Sequence, residues 1–176
     1  FRFKQVIMGF MIAPMMVPII ITACGLYFFL AKIGLINTLL GLVISHVVLA
    51  IPFVIIIISS ALSGLDRTLV RAASGLGAKP WTDFYSITVP LILPGFVTAA
   101  VFAFITSFDE VVIVTFIAGA DQSTMTRELW KGIREELSPT VLSVSAIMVT
   151  ISFLVLAVIE LARRKSSKMR NTFPTT

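Results

Sequence analysis

Four long stretches of this chain contain no Asp, Glu, Lys or Arg, and they constrain its fold more than any other feature. They are Gln5–Ala31, Ile33–Leu65, Phe84–Phe108 and Leu137–Ile159, of 27, 33, 25 and 23 residues. A helix of about 20 mostly apolar residues spans a bilayer, so each stretch can cross once. Hydrophobic residues form 57% of the chain, against roughly 45–50% in soluble domains. The sequence therefore predicts an all-α polytopic membrane protein with four main spans.

The basic residues indicate which ends of the spans face the cytoplasm. If the N-terminus is cytoplasmic, ten Lys and Arg residues lie inside and four outside, which agrees with the usual excess of positive charge on that side. The inside set is Arg2, Lys4, Arg67, Arg71, Lys79, Arg163, Arg164, Lys165, Lys168 and Arg170, and the outside set is Lys32, Arg127, Lys131 and Arg134. We therefore expect both ends of the chain to be cytoplasmic. The net charge of +5 then reflects orientation rather than binding to nucleic acid.

Few residues of this chain have the chemistry for catalysis or metal binding. Cys24 is the only cysteine and His46 the only histidine, so the sequence offers neither an intrachain disulfide nor a His/Cys metal cluster. It also lacks a credible pair of nucleophile and base. We expect no enzymatic activity, no metal site and no cofactor. His46 lies inside the second stretch, where either a neutral hydrogen bond between helices or a place in a transport path would explain it.

Prolines and polar residues set the expected ends of the helices. One helix is expected over Gln5–Leu30, kinked at Pro14 and Pro18. The others are expected over Ile36–Leu62, from Leu91 to Phe108, and over Pro139–Leu161. The stretch from Val111 to Ala120 is too short to cross and is expected to be re-entrant or interfacial.

The outer segment and the C-terminus carry the remaining predicted features. Thr126 is expected to cap a short interfacial helix that ends near Leu137, with Trp130 as its membrane anchor. The polar tail from Arg163 to Thr176 is expected to be disordered.

A polar segment over residues 65–90 separates the second and third stretches. Asp66 has the side chain of a helix N-cap, Gly77 suits the residue that ends a helix, and Pro80 suits the first position of a second short helix. Small residues in between allow another backbone to approach closely. The segment is therefore predicted to be a helix-turn-helix hairpin on the cytoplasmic surface, suited to contact another protein.

This hairpin resembles the signature loop of the permease subunits of ABC importers, the binding-protein-dependent transport family. In that loop, Glu-Ala-Ala is followed by three residues, Gly, nine residues, Ile, any residue and Leu-Pro. The matching residues here are Arg71, Ala72, Ala73, Gly77, Ile87, Val89 and Pro90. Val for Leu is a mild change, whereas Arg71 reverses the charge of the family's glutamate. Any contact of that glutamate is therefore not carried over to Arg71.

The resemblance extends over most of the chain. Residues 107–112 (Ser-Phe-Asp-Glu-Val-Val) and 116–119 (Phe-Ile-Ala-Gly), followed by a polar segment and a last helix, are similar to the spermidine/putrescine branch. The resemblance implies a helical bundle of the type I ABC importer permease kind, lacking N-terminal helices. It implies one transmembrane domain over residues 1–176, with a coupling loop at 66–90, a periplasmic segment at 121–138 and a cytoplasmic tail at 163–176.

The resemblance also implies partners and a location. The hairpin would dock on a cytoplasmic ABC ATPase dimer, which would hydrolyse the ATP. A second permease subunit would complete the path, and a periplasmic solute-binding protein would deliver the solute. The chain would lie in a bacterial inner membrane, in contact with lipid.

Candidate residues for the substrate path are Asp109, Glu110 and His46. Acids at the edge of a span are costly and often functional, and they would lower the desolvation cost of a polyamine. A solvated helix end, or a contact with the binding protein, would explain the two acids equally well. For the whole protein, the alternative is a secondary transporter or channel that needs no ATPase.

Overall fold

The computed structural model describes residues 3–135 and 139–171, nearly all of them in helices. In chain order the helices are α1 (Lys4–Met16), α2 (Ile19–Lys32), α3 (Leu39–Ser63), α4 (Arg67–Gly75), α5 (Pro80–Asp83), a π-helical turn (Phe84–Thr88), α6 (Val89–Phe108), α7 (Val112–Ile117), α8 (Met125–Glu135) and α9 (Pro139–Asn171). Within the described residues, three segments are long and apolar enough to cross a membrane: Leu39–Ser63, Pro80–Phe108 and Val141–Leu161. A fourth is added if α1 and α2 form one span. The predicted all-helical membrane fold is confirmed.

The first predicted helix is broken rather than kinked. α1 ends at Met16, Val17 is extended (φ −89°, ψ 134°), and α2 begins at Ile19. The two helices are bent by 108° relative to each other. Pro18 explains the break, because its ring disfavours a helical conformation in Val17 and it has no N–H to donate. Pro14 stays inside α1, so the prediction of one continuous helix is wrong at Val17–Pro18.

α3 and α6 form the central pair of the molecule. Three residue pairs mark their contact and run in opposite directions along the two helices: His46 with Ser107, Phe53 with Phe102, and Ala61 with Gly95. A β-carbon on Gly95 would lie only 2.6 Å from that of Ala61, so this glycine permits the close approach. The antiparallel arrangement places residues 64–88 at one end of the pair and residues 109–124 at the other.

The short helix α7 is the most buried part of the described structure. Ile113, Val114 and Ile117 are fully buried, and Ile113 and Ile117 pack against Ala23 and Leu30 of α2. The Asn37 amide donates to the Ile117 carbonyl over 3.1 Å, which ties α7 to the start of α3. With six residues, α7 cannot cross a bilayer. The prediction of a non-spanning segment agrees with this length, and its burial explains its apolar sequence.

The last two helices differ from the prediction at their ends. α8 begins at Met125, and the Thr124 hydroxyl accepts the Arg127 amide at its N-terminus. Thr126 therefore does not cap the helix; its hydroxyl donates to the Phe108 carbonyl over 2.7 Å. α9 continues to Asn171, ten residues past the predicted end at Leu161, so the expected disorder is wrong over 163–171. Residues 172–176 of the predicted tail, and Leu137 at the predicted end of α8, lie outside the described residues.

Candidate functional site

The polar hairpin begins with α4, whose two ends are closed by local hydrogen bonds. The Thr68 amide donates to the Asp66 carboxylate over 2.8 Å, and this bond holds the pKa of the Asp66 carboxyl below its ordinary value. At the other end, the Ala78 amide reaches the Ala73 carbonyl and the Gly77 amide reaches the Ser74 carbonyl, each over 3.1 Å. This pattern is a Schellman motif. The predicted N-cap Asp66 is therefore observed.

Gly77 makes the turn after α4 possible. Its φ is +83°, in the left-handed region that glycine enters without steric cost. No atom outside its immediate chain neighbours lies within 4 Å of a β-carbon built there. The requirement for glycine therefore comes from the backbone conformation, and the space beside it is open.

The second arm of the hairpin is not a separate short helix. Pro80 occupies the first turn of α5, after Lys79 as N-cap, as the sequence predicted. The chain then runs through the π-helical turn directly into α6, and Pro80–Phe108 forms one segment of 29 residues. Pro90 lies in the first turn of α6. Because proline has no N–H, one backbone hydrogen bond of the helix is missing next to the π-helical turn.

A hydrogen bond that the sequence did not reveal joins the two arms. The Ser74 Oγ atom is 2.9 Å from the Asp83 Oδ2 atom and 3.0 Å from the Val70 carbonyl oxygen, so these two acceptors share its one proton. Asp83 is 6% exposed, and its Oδ1 atom has no hydrogen-bond partner among the described residues. Ser74 and Asp83 are nine positions apart and separated by a turn, so no helical spacing relates them. The bond joins α4 to α5 across the turn.

The hairpin presents apolar and small side chains to the outside. Of the signature positions, Arg71, Ala72, Gly77 and Pro90 are exposed, while Ala73 and Ile87 are half-buried. Large exposed apolar side chains accompany them, with Leu76 at 90%, Trp81 at 72% and Tyr85 at 63% exposure. The Trp81 and Tyr85 rings stack with centroids 6.0 Å apart. Clustered exposed apolar side chains are typical of a contact surface.

The other candidate residues lie at the opposite end of the α3–α6 pair. His46 Nδ1 is 3.0 Å from Ser107 Oγ. Both residues line a cavity of about 220 Å³, together with Phe104, Phe108, Thr124, Met125 and Thr126. Asp109 follows α6 directly and is exposed. The fold thus brings His46 and Asp109 to the same end of α6.

Glu110 is placed differently from its neighbour. It is 7% exposed, and its Oε1 atom accepts the Ile113 amide over 2.8 Å at the start of α7. Burial raises the pKa of the Glu110 carboxyl, and the amide hydrogen bonds from Ile113 and Val112 oppose that rise. Backbone amides thus bind the Glu110 carboxylate, whereas the Asp109 side chain is exposed. Among the described residues, no three His, Cys, Asp or Glu side chains are grouped as metal ligands.

Comparison with known proteins gives consistent matches. A family described as "Binding-protein-dependent transport system inner membrane component" matches residues 1–168. The chain is 29% identical over 167 residues to the spermidine/putrescine transport system permease protein PotC of Haemophilus influenzae, covering 95% of this chain and 65% of the relative. It is 32% identical over 142 residues to the putrescine transport system permease protein PotI of Escherichia coli K12, covering 76% of this chain and 50% of the relative. The chain thus spans less than two thirds of the length of either relative.

A solved structure has the same fold. The chain aligns with an inward-facing structure of the MetNI methionine ABC transporter with a TM-score of 0.73. The alignment covers 94% of this chain and 74% of the other, at 20% sequence identity. At that identity the likeness concerns the fold of the helices.

Proposed function

Because the chain belongs to the family of binding-protein-dependent transport system inner membrane components, and is thus a multi-pass inner membrane permease, we propose that it forms half of the translocation path of an ATP-driven importer. A second permease subunit would supply the other half. The span Val141–Leu161 leaves room for that subunit or for lipid, because none of its apolar window is buried within this chain.

The hairpin is the proposed docking site for an ABC ATPase dimer. One observation carries this proposal: the signature spacing from Ala72 to Pro90 falls on an exposed hairpin at one end of the α3–α6 pair. The Schellman turn at Gly77 and the bond between Ser74 and Asp83 tie the two arms of the hairpin together. The hairpin could then pass a movement of the ATPase to α6, since the second arm continues into that helix without a break.

Arg71 changes the chemistry of this proposed contact. It is exposed on α4, where the family signature has a glutamate. An arginine there favours an acidic or neutral groove on the ATPase, because a basic groove would repel it. The hairpin would lie in the cytoplasm with both ends of this chain, and residues 121–138 would face the periplasm. The excess of Lys and Arg near the hairpin and the chain ends supports this orientation.

We assign polyamines as the substrate class. The relatives named for spermidine and putrescine and the exposed acid at the outer end of α6 support this assignment. Asp109 is the most accessible candidate, and His46 lines the adjoining cavity. Glu110 stays in the proposed set, with the difference that its carboxylate already binds the Ile113 amide. A periplasmic solute-binding protein would deliver the polyamine to this end.

Reconstitution in proteoliposomes tests the class of transporter. The permease pair and the ATPase are reconstituted with the binding protein supplied on the outer face, and labelled putrescine uptake is measured with ATP inside or with an ion gradient alone. Uptake that requires ATP and the ATPase is the expected result. Uptake driven by the gradient in vesicles without the ATPase would contradict the proposal and favour a secondary transporter or channel.

The acids are tested in the same assay. Asp109→Asn alone, and together with Glu110→Gln, should lower polyamine uptake while the permease content of the vesicles stays normal. The amide oxygen of Gln can still accept the Ile113 amide, so α7 should be preserved. Asp121→Asn is the matched control, since Asp121 is an exposed acid of the same end outside the cavity. Unchanged uptake in the double variant would show that these acids are not in the path.

A further inference from the structure

A second, larger cavity lies between α7 and α8, at the end of the molecule opposite the hairpin. Its volume is about 460 Å³. The residues that line it are Val111, Val112, Thr115, Phe116, Arg127, Trp130, Lys131 and Arg134. Neither the proposed docking of an ATPase nor the proposed path for a polyamine uses this cavity, and its cations would repel a polyamine.

Three cations line one side of the cavity. Arg127, Lys131 and Arg134 are four and three positions apart, so they share one face of α8. The Arg127 guanidinium is held in place, because it donates to the Gly119 and Gln122 carbonyls over 3.2 and 2.9 Å. The lining contains no Asp or Glu. Three cations on one helix face, one of them held in place, are suited to an anionic ligand.

Two acids of α8, Glu128 and Glu135, lie close to this group along the helix and reduce its charge. The Lys131 ammonium is 3.2 Å from the Glu128 carboxylate, and both side chains are about half exposed. Glu128 also accepts the Ser123 hydroxyl, and that bond, with Lys131, holds the pKa of its carboxyl below the ordinary value. Glu135 is four positions after Lys131 and shares this face of α8. With Glu128 and Glu135 set against the three cations, one net positive charge remains along it.

The opposite side of the cavity is apolar and belongs to α7. Val112 and Phe116 contribute its surface, and Trp130 of α8 closes it with 53% of its own surface exposed. An exposed Trp near a span is typical of the membrane-water interface. The cavity thus joins a cationic edge to an apolar floor.

We propose that this cavity binds an anionic phospholipid of the outer leaflet. Arg127, Lys131 and Arg134 bind the headgroup phosphate, and one acyl chain lies against Val112 and Phe116. A free inorganic anion would leave the apolar floor exposed to water. An acidic surface of another protein would contact the exposed side-chain ends of the cations but would not fill the cavity. A lipid satisfies both sides, since basic pockets beside spans bind anionic headgroups.

Native mass spectrometry of the purified membrane protein tests this site directly. The protein is titrated with palmitoyl-oleoyl phosphatidylglycerol, with the same-chain phosphatidylcholine and with inorganic phosphate. We expect specific retention of phosphatidylglycerol. One surface cation contributes about fivefold to lipid affinity, so Lys131→Gln with Arg134→Gln should weaken binding by about 25-fold. Arg127 is left unchanged because it also binds backbone carbonyls.

Two matched variants separate the site from total charge and from side-chain length. Lys32→Gln removes an exposed cation elsewhere in the chain and should bind phosphatidylglycerol like the wild type. Lys131→Arg with Arg134→Lys keeps both charges and should retain most of the binding. The readout needs no ATPase, solute or uptake, so it is independent of the proposed transport function.

Several results would overturn the proposal. Equal retention of phosphatidylcholine, or an unchanged affinity in the double Gln variant, would show that the cations do not select an anionic lipid. Inorganic phosphate binding as tightly as phosphatidylglycerol would identify a site for a free anion. If the double Gln variant keeps its lipid but loses association with a periplasmic solute-binding protein, α8 is a protein-contact surface instead.

Discussion

Substitutions at Gly77 and Gly75 separate two roles of the hairpin turn: its backbone conformation and the open space beside it. Gly77 has a φ of +83°, whereas Gly75 is the last residue of α4. Apart from chain neighbours and, for Gly75, the backbone of its own helix, a β-carbon at either position meets no atom within 4 Å. A loss of ATPase binding in a Gly75 variant that melts like the wild type therefore points to a partner, whereas at Gly77 backbone strain can also contribute.

The size of the strain follows from the backbone angles. A residue other than glycine costs about 1–2 kcal/mol in the left-handed region, which changes the population of the native turn by about 5- to 30-fold. Gly77→Ala therefore introduces strain with little bulk. Gly77→Asn introduces bulk with less strain, because Asn enters this region more readily than most residues. Gly75→Leu adds bulk without strain, and Gly75→Ala adds neither.

The assay measures how much ATPase co-purifies with the permease, and ATP-driven uptake in the same preparations. If the hairpin docks against the ATPase, Gly77→Asn and Gly75→Leu should lose most of the ATPase and of the uptake. Gly75→Ala should behave like the wild type, and Gly77→Ala should be intermediate. Melting temperatures in detergent check that each variant is folded. Normal ATPase content and uptake in both Gly77→Asn and Gly75→Leu would refute the docking role.

Three further predictions concern single contacts. Gly95→Val should destabilise the protein by about 1–3 kcal/mol, because it overpacks the contact with α3. A normal melting temperature would contradict this. Gly25→Val is the control, since a β-carbon at Gly25 has no atom of another element within 4 Å. Ser107→Ala should cost only about 0.6 kcal/mol, the typical value of a hydrogen bond within a membrane protein; a much larger loss of thermal stability would mean that His46 depends on this bond for its position. Asp66→Ala should speed amide hydrogen exchange in α4, whereas Asp66→Asn should preserve the cap. In the wild type the protection of the same amides, measured relative to their intrinsic exchange rate at each pH, should fall as the pH falls through the lowered pKa of Asp66, since protonation weakens the bond to the amide. Asp66→Asn should show no such loss of protection.

Local features of the hairpin could be predicted from the sequence because their partners are close along the chain. The Asp66 carboxylate binds an amide two residues away, and the turn at Gly77 depends on that residue's own φ. Pro80 at the first position of α5 follows from its fixed φ and missing N–H. To predict such features it is enough to know where a helix begins and ends. The bond between Ser74 and Asp83 needs the angle between two helices, which no periodicity supplies.

The sequence alone also cannot distinguish the candidate residues at the other end of α6. Asp109 and Glu110 are adjacent and chemically alike, yet only Glu110 is buried against the start of α7. Thr124 and Thr126 are both suitable caps, and the contact of Thr126 with the Phe108 carbonyl decided between them. The sequence predicts that the cations of α8 lie on the outer side of the membrane. Only the position of α7 in the structure shows that they line an apolar cavity.

The sequence by itself determined the three long apolar spans, α4 with its caps and the turn at Gly77, because charge-free length and local hydrogen bonding are properties of neighbouring residues. Only the tertiary structure decided the break at Pro18, the burial of α7 against α2, and the pairing of His46 with Ser107. The physical reason is that a lipid tail is about as apolar as a neighbouring helix. Hydropathy therefore predicts which segments enter the membrane. Packing between segments that are distant in sequence decides which side chains are in contact.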